Sequence, residues 1–341
     1  PATQKQFVIV QQLIHNSTEI ICATDAGREG QLIFEYVLQL SSPPPDCRIQ
    51  RLWISSMTDD AIREGFASLK DNQQYQRLYQ SARCRSEADW LVGINFTRLF
   101  TLRYGTKLTV GRVQTPTLAL LAERQQAIDS FQPTPYYQLE GHFGTLRALW
   151  HRGAANRLED KKQAVQLQKE LTGKTGIISK LETNRKTEDR PLLFDLTELQ
   201  RESNRRFGYT AQETLSIAQS LYERHKLITY PRTDSRYLTA DMKPLIPQLI
   251  QKIAAVFPES KPFVQQILQK KLPLDKRIIN DSKVSDHHAI IVTNHIHQYQ
   301  PQKLTLRENQ VLKLIMVRML TALSGKKQYD ESKLEITLDT Q

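Results

Sequence analysis

An interrupted β pattern narrows the architectures open to this chain. The runs "TGIISKLE", from Thr175, and "SKLEITL", with Leu334, Ile336 and Leu338 alternating, both read as strands. Between them, Leu196 to about Leu323, the patterning is helical. A β domain interrupted by an inserted helical domain fits that order. Apolar alternation at Leu146, Ala148 and Trp150 adds a further strand, and "FQPTPYY" separates it from a helical pattern running from about Asn72 to Ile128. On that pattern Ala88, Leu91 and Asn95 recur at helical spacing, and Arg85 stands four positions before Asp89 on one face.

The first seventy residues are of another kind. "TEIICATDAGREGQLIFEYVL" reads as a buried strand through Thr24, a glycine-containing turn, and a helix from near Gly30. Asp25 and Glu29 thereby fall at the carboxyl end of a strand, where open α/β sheets put their ligands. A loop, "SSPPPDC", leads to a second strand-like run around Ile49 to Ile54. The segment is α/β but too short for a complete sheet domain. Carboxylates converging from a strand end and a helix start suit a hard cation such as Mg2+; a turn with solvated charges is the other reading.

At 341 residues the chain has room for two or three domains. Lys and Arg number 47 against 36 Asp and Glu, a formal charge of +11, which favours a polyanionic partner, nucleic acid first. The longest apolar runs, such as "DWLVGINF", fall far short of the roughly 18 residues of a spanning helix, and no secretory pattern opens the chain. A soluble, intracellular protein without membrane contact is expected. Cys22, Cys47 and Cys84 have no CxxC spacing, so neither a disulfide framework nor a zinc ribbon is indicated and buried apolar roles are expected. No G-x-x-x-x-G-K-[ST] occurs, which disfavours a P-loop ATPase and a nucleotide cofactor. The chain opens on Pro1 and stops within a strand-like run, as a piece cut from something longer would.

Within the helical insert Thr210 and Glu213 form an S/T-x-x-E capping box, and Leu215, Ala218 and Leu221 make the buried stripe of the helix it starts. That helix must end before "ITYP", because the residue preceding a proline is pushed away from helical angles. Tyr230 therefore sits in extended chain. A phenol is a poor nucleophile at neutral pH unless a cation favours its phenolate, and Arg232 is a permanently charged candidate two residues on. An arginine also holds phosphate and stabilises the charge that develops when phosphorus is attacked, the product being a phosphotyrosine ester. A tyrosine packed on the core with its hydroxyl at the surface is the alternative.

The blocks "ATDAGREG", "RLWISSMT", "SEADWLVGINFTR", "VGRVQTPTLAL", "PLLFDLTELQ" with "NRRFGYTAQETL", "LITYPRTDS" and "SDHHAII" are spread over essentially the whole chain. Together they resemble type IA DNA topoisomerases, the bacterial topoisomerase III branch most closely. The resemblance implies a multidomain α/β plus mainly α fold, part of a toroid with a DNA-sized hole. Its parts would be a partial TOPRIM domain (1–72), a helical DNA-groove domain (73–131), the first limb of a β arch (132–188), a helical domain with the catalytic tyrosine (189–325) and the start of the returning limb (326–341). It implies that Tyr230 cleaves single-stranded DNA, leaving a 5′-phosphotyrosine and a free 3′-hydroxyl. A strand then passes and the break is resealed without ATP, relaxing or decatenating DNA.

By position, Arg232 would polarise the scissile phosphate, Asp234 would order the site and His287 would approach the DNA backbone. Asp25 and Glu29 would hold Mg2+, with Glu29 also counted among the catalytic residues. Thr109, Val110, Gly111, Arg112, Val113 and Gln114 would contact DNA, Arg112 and Gln114 most directly. Arg85, Asp89, Arg98 and Arg103 would line the same single-strand groove, whereas Trp90 and Phe96 are expected in the core. The implied partners are single-stranded segments and negatively supercoiled or catenated duplexes, met by a monomer in the bacterial cytoplasm at the nucleoid. Asp286, His287, His288, His295 and His297 could instead suggest a transition metal.

The chain departs from the family pattern at Gly27, where a second aspartate is common, at Gln31, where glutamate is usual, and at Val292, where proline is usual. One carboxylate fewer should weaken metal affinity. The family's upstream glutamate and active-site lysine have no counterpart after Pro1. A catalytically idle, single-strand-binding fragment is therefore the second reading, and a TOPRIM primase or nuclease, disfavoured by "TYPRTDS" and "GRVQTP", the third.

Overall fold

The computed structural model describes residues 3–54, 59–270 and 272–338. In chain order the elements are α1 (Gln4–His15), β1 (Glu19–Cys22), α2 (Arg28–Ser41), β2 (Arg48–Arg51), α3 (Asp59–Ala67), β3 (Lys70–Asp71), α4 (Gln76–Tyr104), α5 (Gln114–Asp129), β4 (Glu140–Phe143), β5 (Leu146–Leu149), α6 (Lys161–Leu171), β6 (Gly176–Glu188), α7 (Leu196–Phe207), α8 (Ala211–Glu223), α9 (Ile246–Val256), α10 (Lys261–Gln269), α11 (Leu306–Ala322) and β7 (Lys327–Leu338). They fall into two units, residues 1–95 with 190–325, and residues 96–189 with 326–341. The last four residues of "RLWISSMT" lie outside the described residues.

In the first unit, β1 and β2 run parallel, Glu19 opposite Arg48 and Cys22 opposite Arg51, as strands joined through a crossover helix must. The short β3 pairs antiparallel to β2. Cys22, Phe34 and Leu38 bury one face of α2 against this sheet, while Leu32 packs on Tyr79 and Ala82 of α4. β1 ends at Cys22 rather than reaching Thr24. The carbonyls of Cys22, Thr24 and Asp25 turn instead to the guanidinium of Arg51, which is fully buried. Of the three cysteines only Cys22 is buried; Cys47 is half-buried and Cys84 exposed.

The remainder of this unit is one large core. Leu199 of α7, Ala218 and Leu221 of α8, Ile246, Ile250 and Ile253 of α9, and Val311, Leu312 and Ile315 of α11 all meet in it. The Thr210–Glu213 capping box is present, and Thr305 with Glu308 forms a second at the start of α11. Two extended segments thread this core side by side. Thr229 N–H donates to the Ile291 carbonyl at 2.9 Å and Thr293 N–H to Leu227 at 2.9 Å, with Ile228 bridging Val292. These bonds join "LITYPRTDS" to "SDHHAII" at the level of the backbone.

In the second unit, β6 and β7 form a long antiparallel ribbon from Gly176 opposite Leu338 to Glu188 opposite Lys327, with an irregularity at Ile178/Lys180. β4 and β5 close a hairpin over Gly144, whose φ of +60° favours glycine. The helical pattern from about Asn72 to Ile128 is realised mainly as α4 and α5, and Gly105, left-handed at φ +66°, ends α4.

Candidate active site

Tyr230 follows a short sequence of anchors. After α8 stops, Leu227 and Ile228 are buried, and the Thr229 hydroxyl donates to the Ala289 carbonyl at 3.1 Å and accepts from Ile291 N–H at 3.0 Å. The next five residues alternate, Pro231, Thr233 and Ser235 inward and Arg232 and Asp234 outward, the period of an extended chain. Thr233 donates to the His287 carbonyl at 2.9 Å, and Ser235 to that of Lys283 at 2.9 Å. Those two hydroxyls pin the backbone so that the cation and the carboxylate between them face outward. Ser285 donates to Asp234 at 3.2 Å.

The ring of Tyr230 is half-buried between Tyr222, edge-on at 5.4 Å, and His287 at 4.3 Å between centroids. His287 Nε2 lies 3.6 Å from Asp25 Oδ2, so the tyrosine segment and the first α/β segment meet at this point. The expected lowering of the phenol pKa is not the net effect. Burial raises it first and the charge of Asp25 raises it further, with Arg232 pulling the other way. The net direction therefore favours the protonated phenol over the phenolate.

Asp25 is exposed at the end of the β1 turn. Gly30 lies beneath it: a Cβ there would meet the Asp25 backbone C and N at 3.0 Å, so the turn needs this glycine. Glu29 points to Arg85 of α4, with Oε1 3.0 Å from Nη1. Arg85 is thus engaged by the candidate metal residue, and Asp89 is half-buried one turn along. Gln31 is not turned toward Asp25 at all. It is fully buried, its amide donating to Glu35 at 3.1 Å and Asn72 at 2.8 Å, so its replacement of glutamate removes no ligand.

Asp286, a member of the candidate transition-metal set, is half-buried against Gly27. Burial pushes its carboxyl up, and the charges of Asp25 and Asp234 push the same way against those of His287 and Arg28. Among the described residues no three His, Cys, Asp or Glu side chains form a metal-ligating group. The transition-metal reading therefore has no assembled site: His288 is turned to the Ala289 carbonyl with its pKa pushed down by burial, and His295 and His297 stack on each other. The donors near Asp25 do fit Mg2+, which takes one or two carboxylates and keeps several waters.

The other expected DNA contacts belong to the second unit. Thr109, Val110, Gly111, Arg112, Val113 and Gln114 span the turn before α5, where Val110 N–H donates to Thr97 at 2.9 Å and Gly111 N–H to Thr115 at 3.0 Å. Arg112 is exposed, as are Arg98 and Arg103 on α4. Trp90 and Phe96, expected in the core, are 64% and 44% exposed. The buried residues of α4 are Tyr79 and Ala82, both in its first two turns, and α5 buries none. Arg51 and Thr233 matter through partners distant along the chain, Cys22 with Thr24 and His287 respectively, which residue pattern does not reveal, whereas Tyr222 stands eight residues before Tyr230.

A half-buried tyrosine is thus set beside an arginine, a histidine and a strand-end carboxylate on an α/β and helical scaffold. The chain belongs to the DNA topoisomerase family, whose model matches residues 73–341. It is 41% identical over 339 residues to DNA topoisomerase 3 of Bacillus subtilis (strain 168), covering 97% of this chain and 45% of the relative. DNA topoisomerase 3 of Bacillus licheniformis matches to the same extent. The chain thus spans about half the length of the relatives it matches. Full-length topoisomerase I from Thermotoga maritima shares the fold, with a TM-score of 0.70 at 22% identity over 98% of this chain and 53% of that one.

Proposed function

We propose that this chain carries the strand-cleaving half of an ATP-independent type IA topoisomerase of the topoisomerase III kind. The observation behind it is the convergence of Tyr230, His287 and Asp25 from three segments on one point. In the proposed reaction the Tyr230 oxygen attacks a backbone phosphorus of single-stranded DNA and gives up its proton. The P–O3′ bond breaks, and the 3′ oxygen leaves with its electron pair and takes up a proton. A 5′-phosphotyrosine results, and reversal of the same step reseals the strand with no other energy source.

Arg232, outward-facing and adjacent, would hold the non-bridging oxygens where negative charge grows. Asp234, steadied by Ser285, would keep that arginine's surroundings polar, and His287 would lie along the backbone of the bound strand. Mg2+, carried by Asp25 with Glu29 nearby, would supply positive charge beside the phosphate and offset the Asp25 charge that adds to burial in raising the phenol pKa. The run Thr109–Gln114, exposed except at Val110 and Gly111, would with Arg98 and Arg103 bind single-strand backbone by phosphate contacts. Relaxation of negatively supercoiled DNA or decatenation by a monomer at the nucleoid belongs to the same proposal. Among the described residues no helix is long and apolar enough to cross a membrane.

The test is an adduct assay with a single-stranded oligonucleotide labelled on either side of the cut, with and without Mg2+, followed by denaturation. The 3′-side label should become attached to protein, and Tyr230→Phe should abolish this. Binding without an adduct in the unsubstituted chain would refute cleavage by this chain and support the idle single-strand-binding reading.

A further inference from the structure

The glycine of "DAGREG" at position 27 is not demanded by its backbone. Gly27 caps α2 at φ −155° and ψ 177°, extended angles open to any residue. What excludes a side chain is Asp286: a Cβ on Gly27 would meet its Oδ1 at 2.5 Å and Cγ at 2.6 Å. A carboxylate from the loop before His287 therefore occupies the place where a side chain at 27 would begin. It sits at the positive end of α2, beside a turn that already presents Asp25. Its own segment is bonded to that of Tyr230, through Thr233 to the His287 carbonyl and Thr229 to that of Ala289.

We infer that Asp286 is a ligand of the divalent cation at Asp25, supplying from the far segment the carboxylate that position 27 lacks. The inference rests on the proposed function, which calls for Mg2+ at this point. Two carboxylates with water completing the shell suit that ion. Mounting one of them on the loop that fixes Tyr230 ties metal occupancy to the nucleophile's own anchor.

The experiment measures Mn2+ as the probe, by the electron paramagnetic resonance signal of the free ion, on the metal-free protein without DNA. Compared are the unsubstituted chain, Asp286→Asn, Asp286→Ala, Gly27→Asp, and Gly27→Asp combined with Asp286→Ala. Asp286→Asn, which keeps the shape of the side chain and removes its charge, should weaken Mn2+ binding at least tenfold, as should Asp286→Ala. The combined variant should recover to within about threefold, because the carboxylate returns at 27 where the space has been vacated. Gly27→Asp alone should not gain affinity.

Unchanged affinity in Asp286→Asn, or a combined variant no better than Asp286→Ala, would overturn the inference. The unsubstituted chain gives a check that needs no variant. Fe2+ with ascorbate and peroxide, in place of Mn2+, should cut the backbone near both Asp25 and Asp286, and cuts near Asp25 alone would refute the shared site. Failure of adduct formation with intact, Asp286-dependent Mn2+ binding would sink the strand-cleaving reading and leave this inference standing.

Discussion

Replacing Gln31 by glutamate, the residue usual in the family block, should destabilise this protein rather than repair its metal site. The Gln31 amide nitrogen lies between two acceptors, Glu35 Oε1 at 3.1 Å and Asn72 Oδ1 at 2.8 Å, and its oxygen has no donor among the described residues. Neither oxygen of an introduced carboxylate would find a hydrogen. Turning the Asn72 amide over would supply one only by withdrawing its 2.8 Å donation to Glu35. The remaining escape is for the two carboxyls to share a proton, the acid donating where the amide did. Protonating a glutamate whose unfolded pKa is about 4.3 costs about 3.7 kcal/mol at pH 7, which caps the loss.

The sign follows from the same reasoning. The introduced carboxyl would have a folded pKa above its unfolded value, so the penalty is absent below about pH 4.3 and grows by about 1.4 kcal/mol per unit as pH rises. Urea unfolding of the unsubstituted and Gln31→Glu proteins at pH 7 and pH 5, followed by circular dichroism, should show a loss of about 2 to 4 kcal/mol at the higher pH and about 1 kcal/mol at the lower. A loss that does not depend on pH, or none, would refute the buried-amide account. A gain in Mn2+ affinity would instead put this side chain at the metal.

Three further outcomes follow from other contacts. Arg51→Met should cost about 2 to 5 kcal/mol, because it strips donors from the buried Cys22 and Thr24 carbonyls, and should raise hydrogen exchange in the Asp25 turn; protection equal to the unsubstituted protein would contradict this. Glu202 of α7, its carboxyl pushed down to about 2 chiefly by the Arg205 hydrogen bond, contributes stability above its unfolded pKa that is lost as pH falls toward 2. Glu202→Gln should therefore lower stability at pH 7 by about 1 to 2 kcal/mol, since both arginines are exposed and screened, and should leave it unchanged at pH 2. Single-strand affinity should fall with salt at a log–log slope of about −0.7 per phosphate contacted, and Arg112→Ala should flatten it by about that amount; a slope near zero would count against the DNA contacts of the second unit.

Much of the local structure could be read from residue pattern. The Thr210–Glu213 box opens α8, the chain leaves helix before Pro231, and Leu196 to Leu323 is mostly helical. The path of the chain between α8 and α9 was invisible to periodicity, because its extended part is held by residues some sixty positions away, as Thr229 is by Ile291. The tyrosine, the arginine and the acidic turn were nameable because motif blocks carry their order. Their partners were not.

Sequence by itself determined what depends on near neighbours, caps and helix stops, together with membership of the family. Tertiary structure alone decided that Gln31 faces Glu35 and Asn72, that Glu29 meets Arg85, that Asp286 fills the space over Gly27, and that the Tyr230 pKa rises. The physical reason is range. Backbone propensities act over a few residues, whereas desolvation and charge act through space, between groups the chain brings together from positions more than two hundred residues apart, as with Asp25 and His287.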